Sequence, residues 1–318
     1  MAYPGIKVRA LQAFVAVYEE QSFSRAAERE NTTQSGMSTQ VKGLELILGT
    51  PLLIRERKKF MLTPQGEVVY REAQGILRSL MATEQAVREM QGSVGGVVRF
   101  GMIPSLTRSV LIPALAQFKG EFPNVELSLL EEYSYSLMRR VLDGELDFAV
   151  VPSTELPAGL TGKFVGRDRE MLVSSAARSS DTAHLKAVPL SALSSARLIV
   201  PSRLNVRRKH FDMLFNNHGI KLGETLEMDG MLATLEMVAA TDWVAILPSA
   251  ICHSDKDGSI RRLNPIEDPP ISLDYVLVEK AQAAPPRAAQ LLANCLTHHI
   301  TDILADWGDT FDIENPER

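Results

Sequence analysis

Apolar residues along positions 8–45 recur at helical spacing, and two short polar breaks interrupt them. Ala26, Ala27 and Glu28 predict a short helix beginning near Ser24, whose hydroxyl is placed to cap the free amides, and Asn31-Thr32-Thr33 breaks it. A second helix is predicted from Thr33 or Gln34, with Met37, Val41 and Leu44 turned inward at steps of four and three. Gln34, Ser35, Ser38, Thr39 and Lys42 are left facing out. They are short donors and acceptors plus one cation, the side-chain types that meet base edges and phosphates. Two helices joined by a tight polar break have the layout of a DNA-reading helix-turn-helix, with Ser24 and Thr33 at its helix starts as further backbone contacts.

From 64 to 90 no proline occurs after Pro64 itself, and Gly66 and Gly75 are the only glycines, so the pattern predicts one long helix. Val69, Ala73, Ile76, Leu80, Thr83, Val87 and Met90 alternate steps of four and three, as in a coiled-coil seam, while Arg71, Glu72, Arg78, Glu84 and Arg88 lie off it. A stripe on a lone helix needs a partner. Dimerisation is the functional reading, and packing on the body of the same chain is its rival. Gln91-Gly92-Ser93-Val94-Gly95-Gly96 then predicts a hinge.

Beyond the hinge the period changes. Short apolar runs at 97–101, 125–130 and 147–151 alternate with helices through Leu111, Leu115 and Phe118 and through Leu137, Val141 and Leu142. Strands at 170–174, 197–200, 224–228, 244–247 and 271–278 follow, with helices at 207–218, 232–240 and 285–300. Such alternation predicts an α/β fold with parallel sheet, here in two lobes between which the chain crosses more than once. Ligands of such folds sit between the lobes at the carboxyl ends of strands. Ser105, Leu106 and Thr107 occupy that place in the first lobe, where hydroxyls and free helix amides suit an anion. Ser202 and Arg203 occupy it in the second, with Met231 opening a later helix. Tyr133, Ser134, Tyr135 and Ser136, after the second strand, add hydroxyls and two rings. Each has a plain rival: Ser105 as an N-cap, Arg203 as a solvated charge, Tyr133 as a packed ring.

Four blocks resemble one family, the LysR-type transcriptional regulators. LQAFVAVYEEQSFSRAA (11–27) is similar to the family's opening helix and the start of its second, and QSGMSTQVKGLELILGTPLLIRERKKFMLTPQG (34–66) to its recognition helix and wing. VRFGMIPSLTRSVLIPALAQFKGEFPNVELSL (98–129) and MVAATDWVAILP (237–248) resemble its effector-binding domain. Departures exist: Glu30 and Thr32 stand in place of apolar packing residues, Leu53 in place of Phe, and Thr241 and Trp243 in place of two glycines. The resemblance implies an α/β chain with an N-terminal all-α winged helix-turn-helix at 1–66, a linker and dimerisation helix at 67–92, and a two-lobed effector domain at 93–318 resembling periplasmic solute-binding proteins. Lobe one would be about 97–168 and 275–305, and lobe two about 169–274. It also implies a homodimer or homotetramer, a double-stranded DNA operator, a small-molecule effector, often an organic acid, and RNA polymerase as a further candidate partner. In the wing, Arg55, Arg57 and Lys58 are candidate DNA contacts beside Lys59, because such a hairpin tracks phosphate or the minor groove. Arg55 has a structural role beside the domain core as its rival.

Net charge sharpens this picture. The chain carries −5 overall, but residues 1–66 hold nine Lys/Arg against six Asp/Glu, leaving −8 for the remainder. A small basic module on an acidic body binds nucleic acid through the module alone. Cys252 and Cys295 are too few for a disulfide framework, and no secretory leader opens the chain, so a reducing cytoplasm is expected, with no membrane partner. No nucleophile elbow, phosphate-cradling loop or metal-ligand spacing is legible, so neither an enzyme nor a cofactor is expected; Cys252-His253 and Cys295 with His298 and His299 lie in separate segments. Two other classes compete. One is a solute-binding protein of the transport type. The other is an effector-independent DNA-binding protein whose cleft is plugged by a side chain such as Trp243.

Overall fold

A computed structural model describes residues 5–56, 59–89, 94–178, 182–203, 205–281 and 284–311. The chain divides into two compact units, one of residues 1–93 with 143–145 and one of 94–142 with 146–318. Expected features at 57–58 and 90–93, including Arg57, Lys58, Met90 and the first hinge residues, lie outside the described residues, as does the side chain of Arg55.

The first unit contains α1 (Val8–Glu20), α2 (Phe23–Arg29), α3 (Gln34–Leu48), a hairpin of β1 (Leu53–Glu56) and β2 (Lys59–Leu62), and α4 (Pro64–Glu89). Phe14, Ala26, Met37, Val41, Leu44 and Leu52 are buried in its core. Ser22, not Ser24, caps α2: its hydroxyl accepts from the Arg25 amide. Ser24 sits one turn in and donates instead to Gln34 Oε1 at 3.1 Å. Thr33 caps α3 by accepting from the Gly36 amide at 3.1 Å. The hairpin is held by one amide side chain: Gln21 Nε2 donates to the Phe60 carbonyl at 2.9 Å, and the Phe60 amide donates to Gln21 Oε1 at 2.8 Å. Gly66 is required where α4 begins, because a Cβ there would stand 2.1 Å from the Leu52 carbonyl oxygen.

The seam of α4 divides in two. Ala73 is buried in the unit's own core, with Val69 and Leu77 packed against it, whereas Ile76, Leu80 and Val87 are exposed. Packing on the same chain therefore explains the first turns, and only the later part of the stripe is open to a partner.

In the second unit the first lobe contains β3 (Gly96–Met102), α5 (Pro104–Leu106) running through a π-turn at Thr107–Leu111 into α6 (Ile112–Glu121), β4 (Val125–Glu131), α7 (Ser134–Leu142) and β5 (Phe148–Pro152). β6 (Leu160–Ser175) then crosses into the second lobe. There follow β7 (Val188–Pro189), β8 (Leu198–Val200), α8 (Val206–Asn217), β9 (Thr225–Glu227), α9 (Met231–Ala240), β10 (Val244–Pro248), α10 (Ser249–Cys252) and β11 (Arg261–Glu267). β12 (Ser272–Lys280) returns to the first lobe, and α11 (Arg287–Phe311) closes the described chain.

The strands run in the order β4-β3-β5-β12-β6-β10-β8-β9. The sheet is mixed, not parallel as expected: β3 is parallel to β4 and β5, and β10, β8 and β9 run parallel, but β12 is antiparallel to β5 and β6, and β6 to β10 and β11. The reason is the double crossing, since a strand returning to the first lobe must run against the strand that left it. α11 links the lobes a third time. Leu292, Leu296 and Ile300 pack in the first lobe's core and Trp307 in the second's. Trp243 is not a plug: it lies in the second lobe's core, with the Arg197 guanidinium 4.6 Å from its ring centre.

Candidate nucleic-acid interface and ligand cleft

On α3 the inward positions are Met37, Val41 and Leu44, so the helix turns Gln34, Ser35, Thr39 and Lys42 fully to solvent and Ser38 partly. Two hydroxyls are committed locally. Thr33 caps the helix, and Thr39 donates to the Ser35 carbonyl at 2.9 Å. Both can still accept. Gln34 keeps its amide NH2 for a partner while its oxygen holds Ser24. Thr32, at one of the family-departure positions, is simply exposed, so its polarity costs the core nothing. Glu45 Oε1 accepts from the Leu52 amide at 2.8 Å, which fixes the end of α3 to the start of the wing.

The candidate ligand cleft is where β3 and β4 end in one lobe and β8, β9 and β10 end in the other. Several of its expected anion-binding groups are engaged within the chain. The Leu106 and Thr107 amides both donate to the Ile103 carbonyl, at 3.1 and 3.4 Å. The Thr107 hydroxyl is shared by the Pro104 carbonyl and the Glu131 carboxylate. The Ser202 amide donates to Asp229 Oδ1 at 2.9 Å. Leu106 is a core residue whose side chain never reaches the cleft, a correction to its expected role. Ser105 is fully buried beside the Tyr275 hydroxyl without a hydrogen bond of ordinary geometry. Ser134 is buried at the start of α7, and Arg203 is exposed.

Tyr133 is half-exposed, and its hydroxyl donates to the Asp229 carbonyl, so it bridges the lobes and is not a ring packed in either core. Burial raises its pKa, and the Asp229 and Glu131 carboxylates raise it further, against the Arg207 guanidinium. Beside them the second lobe has a narrow recess lined by Ile199, Val200, Met228, Asp229, Met231 and Thr234, among others. Arg207 also lines it but is already neutralised. Its Nε and Nη2 donate to the two Glu170 oxygens at 2.8 and 2.6 Å, and Nη2 also reaches the Ile246 carbonyl.

At the floor of the junction the buried Asp168 carboxylate takes the Ser249 and Ala250 amides, the Ser249 hydroxyl, the Arg169 amide and the Tyr275 hydroxyl. Burial still pushes its pKa up to about 6, because the cost of an ion without water exceeds what these donors return. Reading the sequence missed Asp168, Asp229, Glu131, Glu170, Arg207 and Thr234. Asp229 follows β9 as Ser202 follows β8, so the strand-end rule that nominated the serine applied to it equally.

Comparison with known proteins agrees over both units. The family described as "Bacterial regulatory helix-turn-helix protein, lysR family" matches residues 8–67, and that described as "LysR substrate binding domain" matches residues 91–301. The nitrogen assimilation regulatory protein nac of Escherichia coli is 26% identical over 289 residues, 91% of this chain and 93% of that protein. Full-length OxyR from Pseudomonas aeruginosa is similar at a TM-score of 0.73 and 21% identity, over 92% of this chain and 95% of that one. Full-length CbnR complexed with its target DNA gives 0.66 and 19%, over 93% and 99%. At such identities the structural likeness speaks for the fold.

Proposed function

Because this chain belongs to the LysR family of bacterial transcriptional regulators, we propose that residues 1–66 read an operator in duplex DNA, that 67–92 pair two chains, and that 93–318 sense a small molecule. It is a regulator and not an enzyme. The observation that carries the DNA reading is the outward face of α3, where Gln34, Ser35, Ser38, Thr39 and Lys42 meet no neighbour in the core. A helix of this width enters the major groove. There Gln34 offers its free amide NH2 to a base edge, and Lys42 supplies a phosphate contact. Ser24, Thr33, Arg55, Arg57 and Lys58 are proposed backbone contacts flanking it. The DNA bound in the CbnR structure supports the same use of the fold.

The small molecule is proposed to bind between the lobes and to change their closure. Paired chains would transmit that change to the spacing and bend of the DNA they hold, and so to RNA polymerase. Operator binding places such a chain in the cytoplasm. No helix among the described residues is long and apolar enough to cross a membrane. Footprinting on duplexes selected from a random library tests the reading. The expected result is a protected site with two half-sites whose affinity falls steeply with salt; no enrichment over the random pool would overturn it.

A further inference from the structure

Hydrogen bonds already made on the reading face of α3 fix what its side chains have left to offer DNA, an inference that rests on the operator reading above. We propose that this face carries a set polarity: Ser24 turns the Gln34 amide so that it offers donors, and Thr39 offers an acceptor. The operator half-site then presents guanine to Gln34 and a base amine, cytosine N4 or adenine N6, to Thr39.

The positioning comes from α2, whose first turn brings the Ser24 hydroxyl to Gln34, the residue that opens α3. That hydroxyl donates to Gln34 Oε1 at 3.1 Å, so the oxygen end of the amide is turned back onto the protein. Oxygen and nitrogen sit on opposite sides of an amide carbon, and the NH2 is therefore turned outward. Both residues are exposed, and the N-terminal residues of the second helix in this motif are those that reach base edges. In the major groove guanine shows two adjacent acceptors, N7 and O6, whereas adenine shows an acceptor beside its N6 amine. An outward NH2 suits both guanine atoms. The two-bond pairing with adenine needs the amide oxygen at the base edge as well, and that oxygen is engaged by Ser24. Ser24 touches no base in this arrangement and acts as a positioning residue.

Thr39 is polarised by its own helix. Its hydroxyl donates to the Ser35 carbonyl at 2.9 Å, and a hydroxyl has one proton to give. What it turns to solvent is a lone pair. A phosphate oxygen is itself an acceptor and gains nothing from that lone pair, whereas an exocyclic amine supplies the proton it lacks. Cytosine N4 and adenine N6 are the base amines displayed in the major groove. Neither polarity follows from residue type alone, because a free glutamine offers donor and acceptor together and a free threonine offers either.

Selection of duplexes from a random library by the full chain, then fluorescence anisotropy on the selected site and its single-base variants, tests the proposal. The base pair at which Gln34→Ala loses discrimination locates the Gln34 contact, and Thr39→Val locates the other. Guanine should be preferred over adenine at the first by about tenfold, and 7-deazaguanine there should weaken the wild type several-fold but not Gln34→Ala. Ser24→Ala releases the amide and should bring guanine and adenine within about twofold of each other. Ser24→Asp, whose side chain can only accept, should draw the NH2 inward and reverse the preference to adenine; the ratio of the two affinities removes the uniform effect of the added charge. Thr39→Val should lose its base preference with the salt slope unchanged. Adenine preferred at the Gln34 position, no position relaxed by Gln34→Ala, an unchanged ratio in both Ser24 variants, or a Thr39→Val that weakens every duplex alike would overturn the proposal. A chain that enriches no site refutes the operator reading itself, whereas one that enriches a site with adenine at the Gln34 position leaves the regulator and refutes the polarity.

Discussion

The Tyr133 hydroxyl donates to the Asp229 carbonyl, so the segment after β4 in one lobe is bonded to the segment after β9 in the other. A single neutral hydrogen bond of this kind contributes about 1 kcal/mol, enough to bias closure without locking it. Tyr133→Phe should lower the unfolding midpoint by about 2–4 °C and speed amide exchange on both sides of the cleft. Exchange that is unchanged at 131–134 and 228–230 would show that the bond does not restrain the lobes.

The buried pair of Arg207 and Glu170 gives a second prediction. Glu170→Gln strands a guanidinium without water and should cost about 3–5 kcal/mol in urea unfolding. Replacing both partners with methionine should recover most of that, because no buried charge is then left. A double variant as unstable as the single one would contradict this reading.

Asp168 predicts a pH dependence. Its folded pKa of about 6 lies above the ordinary 3.8, so between those values the folded chain holds a proton that the unfolded chain has released. Stability from this group therefore falls as pH rises through that window, by up to about 3 kcal/mol, and is level above it. Asp168→Asn should remove this slope. Parallel unfolding curves of the two proteins from pH 4.5 to 7 would contradict the assignment.

On α4, Ile76 and Leu80 are exposed while Ala73, within the same stripe, is buried. Changing Ile76 and Leu80 together to Asp should dissociate paired chains with little effect on the first unit's own stability, since neither side chain is needed in its core. Sedimentation velocity decides, and a variant that keeps the wild-type mass at low concentration would show that the stripe pairs nothing.

Local signals in the sequence were read well, and distant pairings were not. The inward face of α3 and the strands at β3, β4 and β5 follow from spacing alone, because each is set by neighbours within a few residues. Ser22 and Ser24 are two residues apart and equally good caps on paper; which one is used depends on where the turn at Gln21 ends. β6 carries Lys163, Arg167 and Arg169, and β11 carries Arg261, so neither resembles a strand until Glu279, Asp274 and Glu267 pair with the first three and Asp255 and Glu236 with the last. The strand-end rule named the donors and not the acids beside them. Asp229 and Glu131 reach the donors first, and only the folded chain brings them together.

The central claim is that the outward face of α3 reads DNA, and relative affinity for a selected operator tests it most directly. Fluorescence anisotropy should show Gln34→Ala losing about 1–3 kcal/mol at one base position while its affinity for unrelated duplex is unchanged. Lys42→Ala should weaken every duplex alike and reduce the salt slope by about one. Wild-type specificity and salt slope in both variants would contradict the account.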